Sequence, residues 1–330
     1  MKWKRFFSCL LCGVLLLCGC TPAVNSATAS HQLELVTTLF CYYDFARAIL
    51  KDTDTIHLRL LLSPGMESHS FEPAPSDILA IQNADLFLYN GGHMEEWVSK
   101  VLGADEQTHP DRIVRCMMDY APLLEEVELE GSESEHDHEH DHDDHDHDHE
   151  GESEMEYDEH IWTSPANAMK LVEVITETLK EVSPENASYF EENKNSYETE
   201  LKSLDDEFKD IVANGRHRMI VVADKFPFRY FAQEYGLSYR AAFSGCSTDT
   251  EPSAKTIAYL IDRIKENQIQ AVFYLELSSH RTADIISEET GAKPLLLHSC
   301  HNVTRRQFDE GVTYLQLMKQ NAKNLQEALL

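Results

Sequence analysis

The chain has 330 residues, enough for two ordinary domains with a real core. Its 58 acidic and 28 basic residues give a formal net charge of −30, which makes nucleic acid a poor partner. The charge is uneven: Glu125 to Glu159 holds nineteen acidic residues and no Lys or Arg, so it carries −19 of the −30. An ordinary globular body with one acidic insertion is the organisation this implies.

At the N-terminus, Lys2, Lys4 and Arg5 precede an apolar run, Phe6 to Leu17, that is too short to span a bilayer comfortably. It ends at Leu17-Cys18-Gly19-Cys20. This resembles the bacterial lipobox, in which a Cys after a small residue is lipidated and becomes the mature N-terminus; Cys18 departs from the Ala, Ser or Thr of that pattern. Residues 1–19 are therefore expected to be a lipoprotein signal peptide, Cys20 the lipidation site, and 20–32 a small-residue tether. The body would be extracytoplasmic and anchored to the cell membrane; a cleaved secretory peptide without lipid is the alternative. Past Cys20 the mature chain keeps Cys41, Cys116, Cys246 and Cys300, which could form up to two disulfides in a pairing the sequence does not fix.

The body alternates apolar runs with amphipathic ones. Leu33 to Phe40 reads as a buried strand, Tyr43 to Leu50 as a helix and His57 to Leu62 as a second strand. A Pro- and Gly-bearing loop follows, and Ser76 or Asp77 is expected to cap a helix over Ile78 to Asn83. Asp85 to Asn90 is a third strand, Glu95 to Leu102 a helix, and Ile113 to Cys116 a fourth strand. After the acidic stretch, Ser164-Pro165 starts a helix whose apolar stripe is Ala168, Leu171, Ile175, Leu179 and Val182. Ser183-Pro184 repeats the signal for a helix running to about Ala213, which Asn214-Gly215 ends. At about 1.5 Å per residue that helix is roughly 40 Å long, a stiff spine.

A second α/β half follows. Strands are expected at Met219–Ala223, Tyr239–Phe243, Ala271–Leu275 and Pro294–His298. Helices are expected at Phe228–Tyr235, Pro252–Asn267, Ala283–Thr290 and about Phe308–Leu330. The fold class is thus α/β, with two parallel-sheet lobes joined by one long helix. The domains are residues 33–183 with a His/Asp-rich loop at 125–159, the linking helix 184–214, and residues 215–330.

Inside the acidic loop, seven histidines (His136, His138, His140, His142, His145, His147 and His149) alternate with carboxylates. Imidazole suits zinc, copper, nickel and iron, and such a composition reads as metal-collecting. Nothing apolar there could pack a cage, so low affinity is expected. A solvated linker is the alternative reading, and it suits the acidic flanks.

Ligands of parallel α/β sheets bind beyond the carboxyl ends of strands. Loops of that kind carry His69, Asp224, Glu276 and the Cys300-His301 pair, and His160 lies in a turn before a helix. Pro64-Gly65-x-x-x-His69-x-Phe71-Glu72-Pro73-x-Pro75-Ser76-Asp77 is similar to the first-ligand motif of the zinc/manganese-type (cluster A-I) solute receptors of bacterial ABC transporters. Asn90-Gly91-Gly92-x-x-Glu95-x-Trp97 looks like that family's segment after its third strand, and Asp158 to Pro165 like its second-ligand motif. The resemblance covers nearly the whole mature chain. It implies a metal buried between the lobes, a permease and its ATPase as partners, and His69 and His160 as ligands from the first lobe. Where many zinc-type members place a histidine after the strand at Met219–Ala223, this chain has Asp224-Lys225-Phe226-Pro227. The last family ligand, an Asp in manganese-type members, falls near His301. The expected set is therefore His69, His160 and His301, with Asp224 a weaker fourth. Three imidazoles with a carboxylate favour Zn2+ over Mn2+.

Cys246 and Cys300 fall in loops near the expected cleft, as a disulfide or as soft zinc ligands. Glu276 is either a ligand or the oxygen that receives a ligand imidazole's other N–H. Two competing functions remain. A zinc hydrolase would need an open coordination position and a base such as Glu67 or Glu276, but no H-E-x-x-H lies in a stretch that reads as a helix; the one match, His138 to His142, falls inside the acidic tract. A surface metal buffer or adhesin acting through the His-rich tract would not need two α/β lobes.

Overall fold

The computed structural model describes residues 32–105, 109, 111–127, 129–131, 156–247 and 251–330. The expected leader, the lipidation site Cys20 and the seven histidines from His136 to His149 lie outside the described residues.

The first lobe begins with β1 (Leu33–Thr37), α1 (Phe40–Leu50), β2 (Ile56–Leu60), α2 (Pro75–Gln82), β3 (Leu86–Tyr89), α3 (Trp97–Asp105) and β4 (Ile113–Cys116). Its four strands are parallel, in the order β2-β1-β3-β4. Continuous apolar runs such as Leu86-Phe87-Leu88 suit strands covered on both faces. Helix α4 (Pro165–Val182) starts where the sequence signals it: the Ser164 hydroxyl accepts the Asn167 N–H, and Pro165 occupies the first turn. Helix α5 (Ala187–Asn214) has 28 residues and follows a short 3-10 turn, Pro184–Asn186. It rises about 42 Å at 1.5 Å per residue.

The second lobe repeats the architecture with β5 (Met219–Val222), α6 (Arg229–Tyr235), β6 (Ser238–Ala241), α7 (Ala254–Asn267), β7 (Ala271–Tyr274), α8 (Arg281–Thr290) and β8 (Lys293–Leu296). Its sheet is also parallel, in the order β6-β5-β7-β8. The chain ends with α9 (Arg305–Asp309) and α10 (Tyr314–Leu329).

The outer sheet faces carry separate apolar layers, Val36, Ile81, Phe87 and Val98 in the first lobe and Val221, Leu260, Val272 and Ile286 in the second. The inner faces share one continuous core. Helix α5 packs on α1 and α4 of the first lobe and on α6 and α10 of the second. Phe45 lies edge-on to Tyr197 of α5 and Tyr314 of α10, with ring centroids 6.2 and 4.9 Å away. Two lobes that share a core cannot hinge without opening it, so the cleft between them is a stiff one.

Three expectations need correction. The final helix is two helices, because Gly311 turns the chain with φ +72° and Thr313 opens α10 by accepting the Gln316 N–H. The helix expected at Glu95–Leu102 is a 3-10 turn, His93–Glu95, followed by α3. Helix α2 begins one turn early, with Pro75 in its first turn and the Asp77 carboxylate accepting the Ala74 N–H at 3.0 Å, so neither Ser76 nor Asp77 is the cap.

Candidate metal centre

Every strand-end donor singled out in the sequence comes from a carboxyl end, and the loops bearing them are tied together. The loop after β2 turns at Gly65, whose N–H donates to the Val303 carbonyl at 2.8 Å. The Asn302 amide donates to the Ser63 and Met66 carbonyls, each at 2.8 Å. Across the same seam, Phe40 N–H donates to the His301 carbonyl at 3.0 Å, and the Trp162 indole donates to the Ser299 carbonyl at 2.7 Å. The first-lobe loop carrying His69 and the second-lobe loop carrying His301 are therefore held in register by backbone hydrogen bonds.

Between them lies a cavity of about 420 Å³ whose lining includes Glu67, His69, His160, Asp224, Glu276 and His301. The His69 and His160 rings are 5.3 Å apart between centroids. His69 Nδ1 is 2.9 Å from Glu67 Oε1, and His301 Nε2 is 3.8 Å from Glu67 Oε2, so Glu67 stands between imidazoles of opposite lobes. Each ring is braced by an oxygen: His160 Nδ1 by Asp158 at 3.2 Å, His301 Nδ1 by the Ser299 hydroxyl at 2.7 Å and by Glu276 at 3.1 Å. Glu276 in turn accepts the Ser299 N–H at 2.8 Å. Cys300, with φ +64°, makes the tight turn that places Ser299 and His301 on either side of it.

Among the described residues, the buried Nε2 atoms of His69 and His301 have no hydrogen-bond partner. Leaving such nitrogens unpaired costs on the order of 1–3 kcal/mol each. A divalent ion accepting both lone pairs offsets that cost, and carboxylates on the far side of each ring fix the tautomer a metal needs. The residues thus fit a zinc ion.

The electrostatics agree. Burial pushes His69 down to about 4, against the opposing pull of Glu67, so its ring is neutral at physiological pH. Burial also works against charge on His160 and His301, but Asp158 and Glu276 outweigh it and raise both above the usual imidazole value. Glu276 is held down to about 2; its burial is overcome by His298 and His301. Glu67 is likewise lowered: burial opposes the shift, and the His69 hydrogen bond, His301 and Lys225 drive it. Glu126 moves the other way, to about 7, through burial and the neighbouring Asp158.

The expected set is partly regrouped. His69, His160 and His301 meet in one cavity. Asp224 lines it too, but its carboxylate accepts the Lys225 N–H at 2.9 Å. Glu276 contacts the back of His301. Cys246 and Cys300 are both free thiols, as are Cys41 and Cys116, so the disulfide reading is overturned. Cys300 is sealed in the shared core with Cys41 and its thiol points to the His298 carbonyl at 3.7 Å, so it is a packing residue rather than a ligand. Cys246 behaves differently: its thiol, a ring nitrogen of His69 and a carboxylate oxygen of Glu159 all lie within 4.8 Å of one another.

Sequence reasoning did not single out Glu159 and weighed Glu67 only as the base of a hydrolase. Both are acids beside an assigned histidine, and that adjacency was the available signal. Glu159 is 1% exposed and accepts the backbone N–H groups of His93 and Met94, which identifies it as a fixed part of the site.

Two parallel α/β lobes joined by one long helix, with imidazoles of both converging in the seam, define a two-lobed metal-ion receptor. The sequence profile of the family described as zinc-uptake complex component A, periplasmic, matches residues 35–328, and the chain belongs to that family. It is 34% identical over 332 residues to the high-affinity zinc uptake system protein ZnuA of Bacillus subtilis (strain 168), covering 100% of this chain and 98% of that protein. It is 32% identical over 327 residues to the zinc-binding lipoprotein AdcA of Streptococcus pneumoniae (strain ATCC BAA-255 / R6), of which it spans 61%. Among solved structures, the Zn(II)-bound ZnuA-like domain of Streptococcus pneumoniae AdcA matches with a TM-score of 0.71 at 29% identity, over 90% of this chain and 99% of that one. The metal-dependent lipoprotein YcdH from Bacillus subtilis matches with a TM-score of 0.72 at 30% identity, over 90% of this chain and 100% of that one.

Proposed function

We propose that this chain is the extracytoplasmic receptor that captures zinc and hands it to an ABC-transporter permease driven by its ATPase. The observation that carries the reading is the pair of buried Nε2 atoms of His69 and His301, which have no hydrogen bond among the described residues and belong to side chains that line one cavity from two lobes. His69, His160 and His301 hold the ion, and Glu276 orients His301. The relatives named for zinc uptake and zinc binding support zinc as the cargo. A receptor, unlike a hydrolase, needs no turnover, only a site that can fill and empty.

The finer points belong to the same reading. Residues 1–19 act as the signal peptide, Cys20 carries the lipid, and the 20–32 tether holds the body at the membrane. A lipoprotein among the relatives favours this. The segments flanking the His-rich tract pair with each other at Glu125 and Tyr157 and run directly into His160. The tract collects ions at modest affinity.

The test is metal content and zinc affinity of the chain lacking 132–150, alone and with His301→Ala. One tight ion in the first, much weakened in the second, is the expected result. No tight ion in the first would move the function into the His-rich tract and make metal buffering the better reading.

A further inference from the structure

Cys246 follows β6 in the second lobe, directly after Gly245, yet it reaches first-lobe donors. Its thiol, a His69 ring nitrogen and a Glu159 oxygen are mutually within 4.8 Å. A Zn–S bond of about 2.3 Å and a Zn–N bond of about 2.1 Å together nearly span that separation. Small side-chain rotations would bring one ion onto all three. The Glu159 carboxylate is already fixed by the amides of His93 and Met94. Gly245 seats this loop against the imidazole set: a Cβ there would come within 3.3 Å of His160 Cε1.

One further fact sets this thiol apart from a packing residue. It stands outside the shared apolar core that holds Cys41 and Cys300, and Glu159, Glu126 and Asp158 act on it. A buried thiol among carboxylates is an environment that lacks a cation. His301, 7% exposed and with no hydrogen bond to its Nε2 among the described residues, lines the same cavity as His69.

We propose that Cys246 is a ligand of the captured ion, supplying a thiolate from the second lobe beside His69 and Glu159. This rests on the zinc-receptor reading and deepens it. Asp224 is then relieved of the ligand role, consistent with its carboxylate facing the Lys225 amide. On metal binding the thiol gives up its proton to solvent and the sulfur lone pair forms the bond, so nothing is oxidised or reduced. The consequence is selectivity: thiolate sulfur favours zinc and disfavours manganese, which prefers oxygen donors.

Cobalt(II) is the probe, added to the full chain and to Cys246→Ser. Cobalt held by imidazole and carboxylate, as the His-rich tract would hold it, gives no sulfur-to-metal charge-transfer band. The expected result is one tight cobalt with that band in the parent chain, and no band in Cys246→Ser. Zinc binding by the variant should weaken at least tenfold, the lower edge of what losing even an outer partner of a ligand costs. Manganese binding should change much less. One tight cobalt without the band would overturn the proposal and leave the receptor reading standing. A band retained in Cys246→Ser would overturn it too. No tight ion in the chain lacking 132–150 would instead sink the receptor reading itself. If Cys246→Ser does not fold, alkylation of the parent decides: zinc should shield Cys246 from iodoacetamide, and equal labelling with and without zinc counts against the assignment.

Discussion

The His301 ring and the Glu276 carboxylate meet at 3.1 Å with their side chains 10% and 4% exposed, in a second-lobe loop that the first lobe pins at Phe40 and Trp162. The carboxylate holds the ring with Nδ1 protonated, which leaves Nε2 as the lone-pair donor. Glu276→Gln keeps the shape and removes the charge. Zinc affinity should fall about tenfold to a hundredfold, the usual cost of losing such a partner, with the far-ultraviolet circular dichroism unchanged. Competition against a chelating dye measures it. An unchanged affinity would mean that Glu276 only supports the Ser299 turn.

Proton competition should shape the same affinity. His160 and His301 have raised values, so both hold protons to a higher pH than a free imidazole, while His69, at about 4, has none to lose near neutrality. Zinc must displace the protons on the first two. As pH falls from about 7.5 to about 5.5, affinity should drop by up to about a hundredfold per pH unit through the two imidazole protons, with up to about a further tenfold where the Cys246 thiol also gives up its proton. Calorimetry in buffers of different ionisation enthalpy counts the protons released. A flat profile over that interval would remove both His160 and His301 from the ligand set.

Much of this was legible before any coordinates. Ser164-Pro165 before an apolar stripe, and the Val- and Leu-rich runs of β1, β3, β5 and β7, are local signals whose physics is local. His69 and His160 were readable from their motifs as candidates, and they do line one cavity. What failed was long-range or subtle. The break at Gly311 competes with an otherwise helical pattern, although the Thr304/Gln307 and Thr313/Gln316 boxes announced two starts. Glu159 becomes a site residue only because a 3-10 turn some 65 positions earlier aims two amides at it. The separate fates of Cys246, outside the shared core, and Cys300, within it, depend on which lobe surfaces meet, which spacing along one chain does not encode.

Gly245 tests how closely the second lobe approaches His160. A Cβ there would lie 2.9 Å from the Phe226 carbonyl, 3.2 Å from Asp158 Oδ2 and 3.3 Å from His160 Cε1. The first of these is backbone and cannot swing aside, so Gly245→Ala must shift the loop or the ring. The expected cost is about 1–3 kcal/mol of stability from overpacking, with a zinc affinity loss exceeding that of a control substitution of equal stability cost. Gly291→Ala suits as control because nothing lies within 4 Å of a Cβ there, and its φ of +78° charges only backbone strain. Equal zinc affinities for the two variants would place Gly245 outside the site.

Glu95 gives a stability test away from the imidazoles. It is 5% exposed and accepts the Gly91 N–H at 2.9 Å, and burial, aided by Glu159, raises it from 4.5 to about 7. A carboxyl group raised in this way favours the fold while protonated: its contribution is whole below pH 4.5 and fades as pH climbs through 7. At about 1.4 kcal/mol per unit, the shift corresponds to on the order of 3 kcal/mol lost between about pH 5 and pH 8. Glu95→Gln keeps an acceptor for Gly91 and cannot ionise. In urea unfolding of the metal-stripped chain, the parent should weaken over that interval more than the variant does, and the variant should be at least as stable as the parent at pH 8. A variant less stable than the parent at pH 8, with the same pH slope, would show that Glu95 is ionised in the fold and held by its hydrogen bonds rather than penalised by burial.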